Sequence, residues 1–253
     1  MNAHTQQNQP PGVPPLALTG ERTLPDVPAE NYWFRRHLVV YEWIARRVSG
    51  MRVLDLACGE GYGSQLLASR AASVVGVDAN PEAYEHARLR YGRANLRFER
   101  GLLEGFGEPG SYEAVVLLQT IEHVRDPAGV LGHVRELLEP GGTAYVSTPN
   151  VLTLAAKGHT RSDNPWHLRE YRDEEFLALC SDAFGAVTLL GLHHAGKLRV
   201  HELALRCGWD ALHRRLGITD RFYERFVPTI STEDFALRPD RLERALDFLA
   251  ICS

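Results

Sequence analysis

Residues 53–63 read Val53-Leu54-Asp55-Leu56-Ala57-Cys58-Gly59-Glu60-Gly61-Tyr62-Gly63, an apolar run that delivers an acid and then breaks into a glycine cluster. The run is short and glycine-bounded, as a buried strand is, and the GSQLLASRA that follows is helical in character. In an open α/β sheet, ligands bind in the crevice at the carboxyl ends of the strands, where glycines let the backbone turn tightly beside them. The bland alternative is a glycine-rich turn with no ligand.

Outward from this corner the same alternation repeats. Residues 73–77 form a second apolar run ending at Asp78, and Asn80-Pro81 opens a helix with a good N-cap and a proline at its first position. Strands are expected at 96–99 and 112–118, then a helix at 127–138. Pro140-Gly141-Gly142 turns into a strand at 143–148. Before the corner, Trp33, Leu38, Tyr41 and Ile44 recur at helical spacing between Ala29 and Arg47. After it come a helix at 173–182 and a strand at 186–192. Strands alternating with helices indicate βαβ units, hence a doubly wound, mostly parallel α/β sheet, here counted as seven strands.

Residues 196–227 are amphipathic and too long for a simple connection, with Leu198, His201, Leu205 and Leu212 assigned to one face. The expected organisation is a disordered tail over 1–18, where four prolines fall within six residues, then a segment and helix over 19–50 covering the crevice. A ligand-binding core follows over 51–195, then a helical cap over 196–227 and final strands over 228–253.

The 253-residue chain is 44% hydrophobic and 24% charged, with a formal net charge of −4. That balance gives no electrostatic reason to expect a nucleic-acid partner. Cys58, Cys180, Cys207 and Cys252 are far apart and show no zinc spacing, so they read as reduced thiols. No apolar run approaches the roughly eighteen residues of a membrane helix, and no signal peptide is visible, so a cytoplasmic location is expected.

Charge sign selects among nucleotide ligands. A dinucleotide fingerprint G-x-G-x-x-G wants a glycine where Ser64 stands, and Asp55 would repel a pyrophosphate. Both count against a nicotinamide-dependent oxidoreductase. A ligand with a cationic amino group gains from the same carboxylate. Asp78, twenty-three positions after Asp55, can accept from both ribose hydroxyls or merely cap the next helix.

LDLACGEGYGS, VVGVDANPEA, QTIEHVRDP, LEPGGTAYVSTPN and NPWHLREY together resemble the motif series of class I S-adenosylmethionine-dependent methyltransferases. With TGERTLPDVPAENYWFRRH they are most similar to a group that accompanies polysaccharide and glycolipid assembly, including actinobacterial methylated-glucan clusters. The resemblance implies S-adenosylmethionine as methyl donor and S-adenosylhomocysteine as product. It places Asp55, Ala57, Gly59 and Gly61 on the methionine and ribose side, Asp78 and Ala79 at the ribose, and the Leu102-Leu103 backbone at adenine. Gln119 would lie beside the methionine moiety. Tyr32, Trp33 and the cations Arg36 and His37 would close over the cofactor and meet its carboxylate.

The implied reaction is O-methylation of a sugar, polysaccharide precursor or glycoconjugate. A lipid-like or aromatic small molecule is the alternative acceptor. An alcohol needs a base to take its proton during transfer, and His123 and His167 are the candidates, with Glu122 beside the first. Some related O-methyltransferases carry E-x-x-E-H here and use a metal. This chain has Gln119 in place of the first Glu, so a divalent metal at Glu122, His123 and His167 is the less favoured reading.

Overall fold

The computed structural model describes residue 6 and residues 8–18, 22–156 and 159–253. The elements run α1 (Asn31–Ala45), β1 (Arg52–Leu56), α2 (Tyr62–Leu67), β2 (Ser73–Asp78), α3 (Pro81–Arg90), β3 (Leu96–Arg100), β4 (Tyr112–Leu118), α4 (Pro127–Leu137) and β5 (Leu138–Pro149). Then follow α5 (Val151–Leu154), α6 (Asp173–Ala183), β6 (Val187–His194), α7 (Gly196–Arg206), α8 (Trp209–Leu216), α9 (Thr219–Phe226), β7 (Phe235–Arg238) and β8 (Asp247–Cys252). Local chemistry explains the helix starts. Asn80 accepts from Glu82 N and Ala83 N ahead of Pro81, and Asp126 accepts from Gly129 N ahead of Pro127.

The strands form one sheet in the order β3-β2-β1-β4-β5-β8-β6-β7. The first five are parallel, and β8 and β7 run antiparallel to their neighbours. Strand order reverses between β1 and β4, so the crevice of a doubly wound sheet opens above their carboxyl ends. Alternation along β4 sends Val115 and Leu117 to one face, against Val130, Leu131 and Val134 of α4 and Phe176 of α6. Ala114, Val116 and Leu118 face the other side, with Tyr41 and Ile44 of α1.

Three expectations need correction. The sheet has eight strands rather than seven, because Phe235–Arg238 pairs with β6 as an edge strand. Pro140-Gly141-Gly142 does not precede β5 but bulges inside it: the register jumps from Tyr112↔Leu138 to Ala114↔Thr143. The tail expected to be disordered is in part packed. Gln6 Nε2 donates to the buried Glu60 carboxylate at 2.9 Å, and Leu16 is buried with Leu24 and Val27. Residues 1–5 and 7 lie outside the described residues.

The 196–227 segment is helical, and it packs at the β6–β7 side of the sheet, with Asn31 of α1 donating to Val227 O and Ile230 O. Leu198 is buried, whereas Leu205 and Leu212 are exposed, so the single face assigned to them is not formed. Among the described residues no helix is long and apolar enough to cross a membrane.

One glycine is fixed by close approach. A Cβ on Gly63 would lie 2.2 Å from the Tyr41 ring, whose hydroxyl holds Asp55. Gly63→Ala is expected to cost about 1–3 kcal/mol through overpacking. Thermal unfolding checks this, and an unchanged melting temperature would contradict it.

Candidate functional site

Leaving β1, the chain puts Ala57 at φ +55°, and leaving β4 it puts Gln119 at φ +50°. These non-glycine residues in the left-handed region stand on adjacent strands at the switch point, and such strain gathers at functional sites. Gly59, at φ +57°, has nothing within 4 Å of where a Cβ would point, so its backbone faces open space. A cavity of about 600 Å³ lies here, lined by Ala57, Gly59, Asp78, Ala79, Gln119 and His37 among others.

Asp78 lies half-buried at its edge. Its Oδ2 accepts from Gly59 N at 2.8 Å and its Oδ1 from Asn80 N at 2.9 Å. Each oxygen keeps acceptor capacity for a further donor.

Several expected contacts fall elsewhere. Asp55 is fully buried beneath the floor, its oxygens taken by Ser64 Oγ at 2.6 Å and Tyr41 Oη at 3.2 Å. Burial pushes its carboxyl up to about 7, against the hydrogen bonds from Ser64 and Tyr41. Gly61 packs against Ala87 and Phe98 rather than lining the cavity. Leu102 is exposed and Leu103 packs on the core with Phe106, both just after β3 and Gly101.

Tyr32 Oη bonds His194 Nε2 at 2.9 Å, away from the cavity. Arg36 is buried and forms a bidentate pair with Asp247, both contacts at 2.6 Å, so its charge is already met. Burial drives His37 down to about 4, and Arg36 adds to this while Asp247 opposes it, so His37 is neutral at pH 7. Neither supplies the expected cation. Arg22, a charge of the TGERTLPDVPAENYWFRRH stretch, lines this cavity and the next.

That adjoining cavity, of about 380 Å³, shares His37, Gln119 and His123 with the first, and Trp33, Glu122 and His167 also line it. His123 Nδ1 faces the Trp166 carbonyl at 2.9 Å; a carbonyl only accepts, so Nδ1 carries the hydrogen and Nε2 presents the lone pair. Glu122 Oε1 lies 4.0 Å from that Nε2, and Thr148 Oγ1 donates to Glu122 Oε2 at 3.1 Å.

His167 is held differently. Trp166 N donates to Asn164 Oδ1, which turns the Asn164 amide nitrogen onto His167 Nε2 at 3.0 Å. Its Nδ1 is then the donor to Glu170, at 2.6 Å. Both nitrogens are engaged, so His167 is not placed as a base. Asn150, at the end of the STPN stretch, is fully buried and caps α5.

Atoms of Glu122, His123 and His167 lie within 4.8 Å of one another, which is metal-ligand spacing. The donor set fits a cation poorly, because the His167 lone pair already accepts from Asn164.

Burial raises Glu122 to about 8 from an ordinary 4.5, against its hydrogen bonds and helped by Asp247 and Glu170. The native state therefore binds more protons than the unfolded chain between those values. The contribution to stability is fully present below pH 4.5 and is lost as pH rises through about 8. Glu122→Gln is expected to flatten that decline, by on the order of a few kcal/mol at the alkaline end. Parallel melting-temperature profiles for wild type and variant would contradict this.

Comparison with known proteins agrees with this architecture. A family model described as a methyltransferase domain matches residues 32–187. A probable S-adenosylmethionine-dependent methyltransferase of Mycolicibacterium smegmatis is 38% identical over 247 residues, covering 93% of this chain and 94% of that protein. Another from Mycobacterium tuberculosis is 40% identical over 202 residues, covering 78% and 73%. Among solved structures, a methyltransferase from Thermotoga maritima, titled a possible histamine N-methyltransferase, shares the fold at TM-score 0.59 and 16% identity, covering 88% and 92%. The chain belongs to the methyltransferase-domain family. It is an S-adenosylmethionine-dependent methyltransferase, with S-adenosylmethionine as its cofactor.

Proposed function

We propose that the chain methylates a hydroxyl group of a saccharide or glycoconjugate. The observation that carries this reading is the Glu122–His123 pair, which faces a cavity sharing His37, Gln119 and His123 with the crevice over β1 and β4. The crevice suits the cofactor: Gly59 leaves room for close approach, and Asp78 offers acceptors to two ribose hydroxyls. Arg22 is the cation we assign to the methionine carboxylate, in place of Arg36 and His37.

When bound, the sulfonium cofactor supplies a methyl group that is already activated. The protein's part is alignment and proton removal. His123 Nε2 takes the acceptor's proton as the new carbon–oxygen bond forms, while the Trp166 carbonyl keeps the ring in the right tautomer. Glu122 Oε1, 4.0 Å from that nitrogen, gives the imidazolium so formed a polar neighbour. His167 positions the loop that carries Trp166, through Asn164 and Glu170. The partly exposed Trp33 ring at the cavity mouth gives a sugar an apolar face to stack on.

Labelled-methyl transfer from S-adenosylmethionine to a panel of saccharides, lipid-like alcohols and phenols tests the proposal. Ester-free, base-stable label on saccharide hydroxyls is expected. Transfer confined to phenols or lipid-like alcohols would overturn the saccharide assignment and leave O-methylation standing.

A further inference from the structure

A cavity of about 700 Å³ lies on the other side of the wall made by Tyr32–His194 and Arg36–Leu246, at the β6–β7 edge. Five arginines line it: Arg199 and Arg206 from α7, Arg238 at the end of β7, and Arg241 and Arg244 from the turn before β8. Only two acids share the lining, Glu202 and Asp240. Glu202 is paired with Arg206 at 2.5 Å and also meets His194 at 3.3 Å, while Asp240 reaches Arg241 at 3.9 Å. Arg199 and Arg238 make no ion pair or side-chain hydrogen bond among the described residues. Such convergence in a chain of net charge −4 places a local positive field on an acidic protein.

Two further features mark the spot. Arg241 is held at φ +55°, ψ +42°, a left-handed conformation unfavourable for its side chain. His193 lines the cavity with a buried Nε2 that has no hydrogen-bond partner. Burial and then Arg238 hold its imidazole below the ordinary range.

We propose that this cavity binds a phosphate ester or pyrophosphate group, carried either on a soluble molecule or on a lipid. Guanidinium forks match phosphate oxygens bidentately, which lysines would not do. Val200 and Leu203, both well exposed, stand at the same cavity and give a hydrocarbon or sugar portion an apolar contact. The inference does not depend on what the crevice methylates.

Calorimetry with inorganic pyrophosphate on the wild-type chain and on Arg199→Glu/Arg238→Glu tests it, with melting temperature as the control for folding. Wild-type binding that weakens with salt is expected, with a loss of at least about tenfold in the double variant at unchanged melting temperature. Co-sedimentation with phosphatidylglycerol vesicles, against phosphatidylcholine vesicles, separates the two sources. Retention on the anionic vesicles that the double variant loses assigns a lipid-borne phosphate. Pyrophosphate binding without retention assigns a soluble ester. No pyrophosphate binding together with no retention, or equal binding by wild type and variant, would overturn the proposal. Should Arg199→Glu/Arg238→Glu not fold, Arg199→Gln and Arg238→Gln singly carry the same comparison.

Discussion

Asp78→Ala is expected to weaken binding of S-adenosylhomocysteine on the order of 10²–10⁴-fold while the chain stays folded. The carboxylate holds Gly59 N and Asn80 N at 2.8 and 2.9 Å and keeps capacity for two ribose hydroxyls. Hydrogen bonds to a charged acceptor contribute about 1.5–3 kcal/mol each, and two of them account for that loss. The two backbone donors lie at the cavity edge, where water can replace the carboxylate, so the cost to folding is about 1–2 kcal/mol. Asp78→Asn, which keeps one acceptor oxygen, should fall between. Calorimetric titration decides it, and an affinity within a few-fold of wild type would remove Asp78 from the ribose position.

The second large effect is on turnover. His123→Ala should lower kcat by about 10²–10⁴-fold, the usual worth of a general base, and leave S-adenosylhomocysteine affinity nearly unchanged. His167→Ala should act differently, because both His167 nitrogens are engaged by Glu170 and Asn164. Its removal loosens the loop that presents the Trp166 carbonyl, so kcat falls less and thermal stability falls more. If the two variants lose kcat equally with the same change in its pH profile, His123 has no distinct role as base.

Most of the framework was legible because its signals are local. Asn80-Pro81 and Asp126-Pro127 cap helices where expected, and the 112–118 run alternates onto two buried faces as a central strand must. The adjacency of Asp78 and the glycine turn follows from the two strand ends, since the parallel pairing of β1 and β2 brings them together. What escaped depends on pairings distant in sequence. Nothing near Arg36 announces Asp247, 211 positions on, yet that pair removes the cation from the expected carboxylate contact. Nor does the sequence announce that Tyr41 and Ser64 donate to Asp55. Gln6 meeting Glu60 is likewise invisible in a proline-rich tail, whose composition by itself predicts disorder. His123 and His167 are both candidates in the sequence, and their hydrogen-bond partners differ: the Trp166 carbonyl for the first, Glu170 and Asn164 for the second.

In the proposed mechanism one crevice, over β1 and β4, holds the cofactor and presents its methyl group to Glu122 and His123. A crystal structure with S-adenosylhomocysteine tests that most directly. The ribose hydroxyls are expected on Asp78 and the sulfur facing the cavity lined by Glu122 and His123. A nucleoside bound away from Asp78, or a sulfur turned from His123, would contradict it.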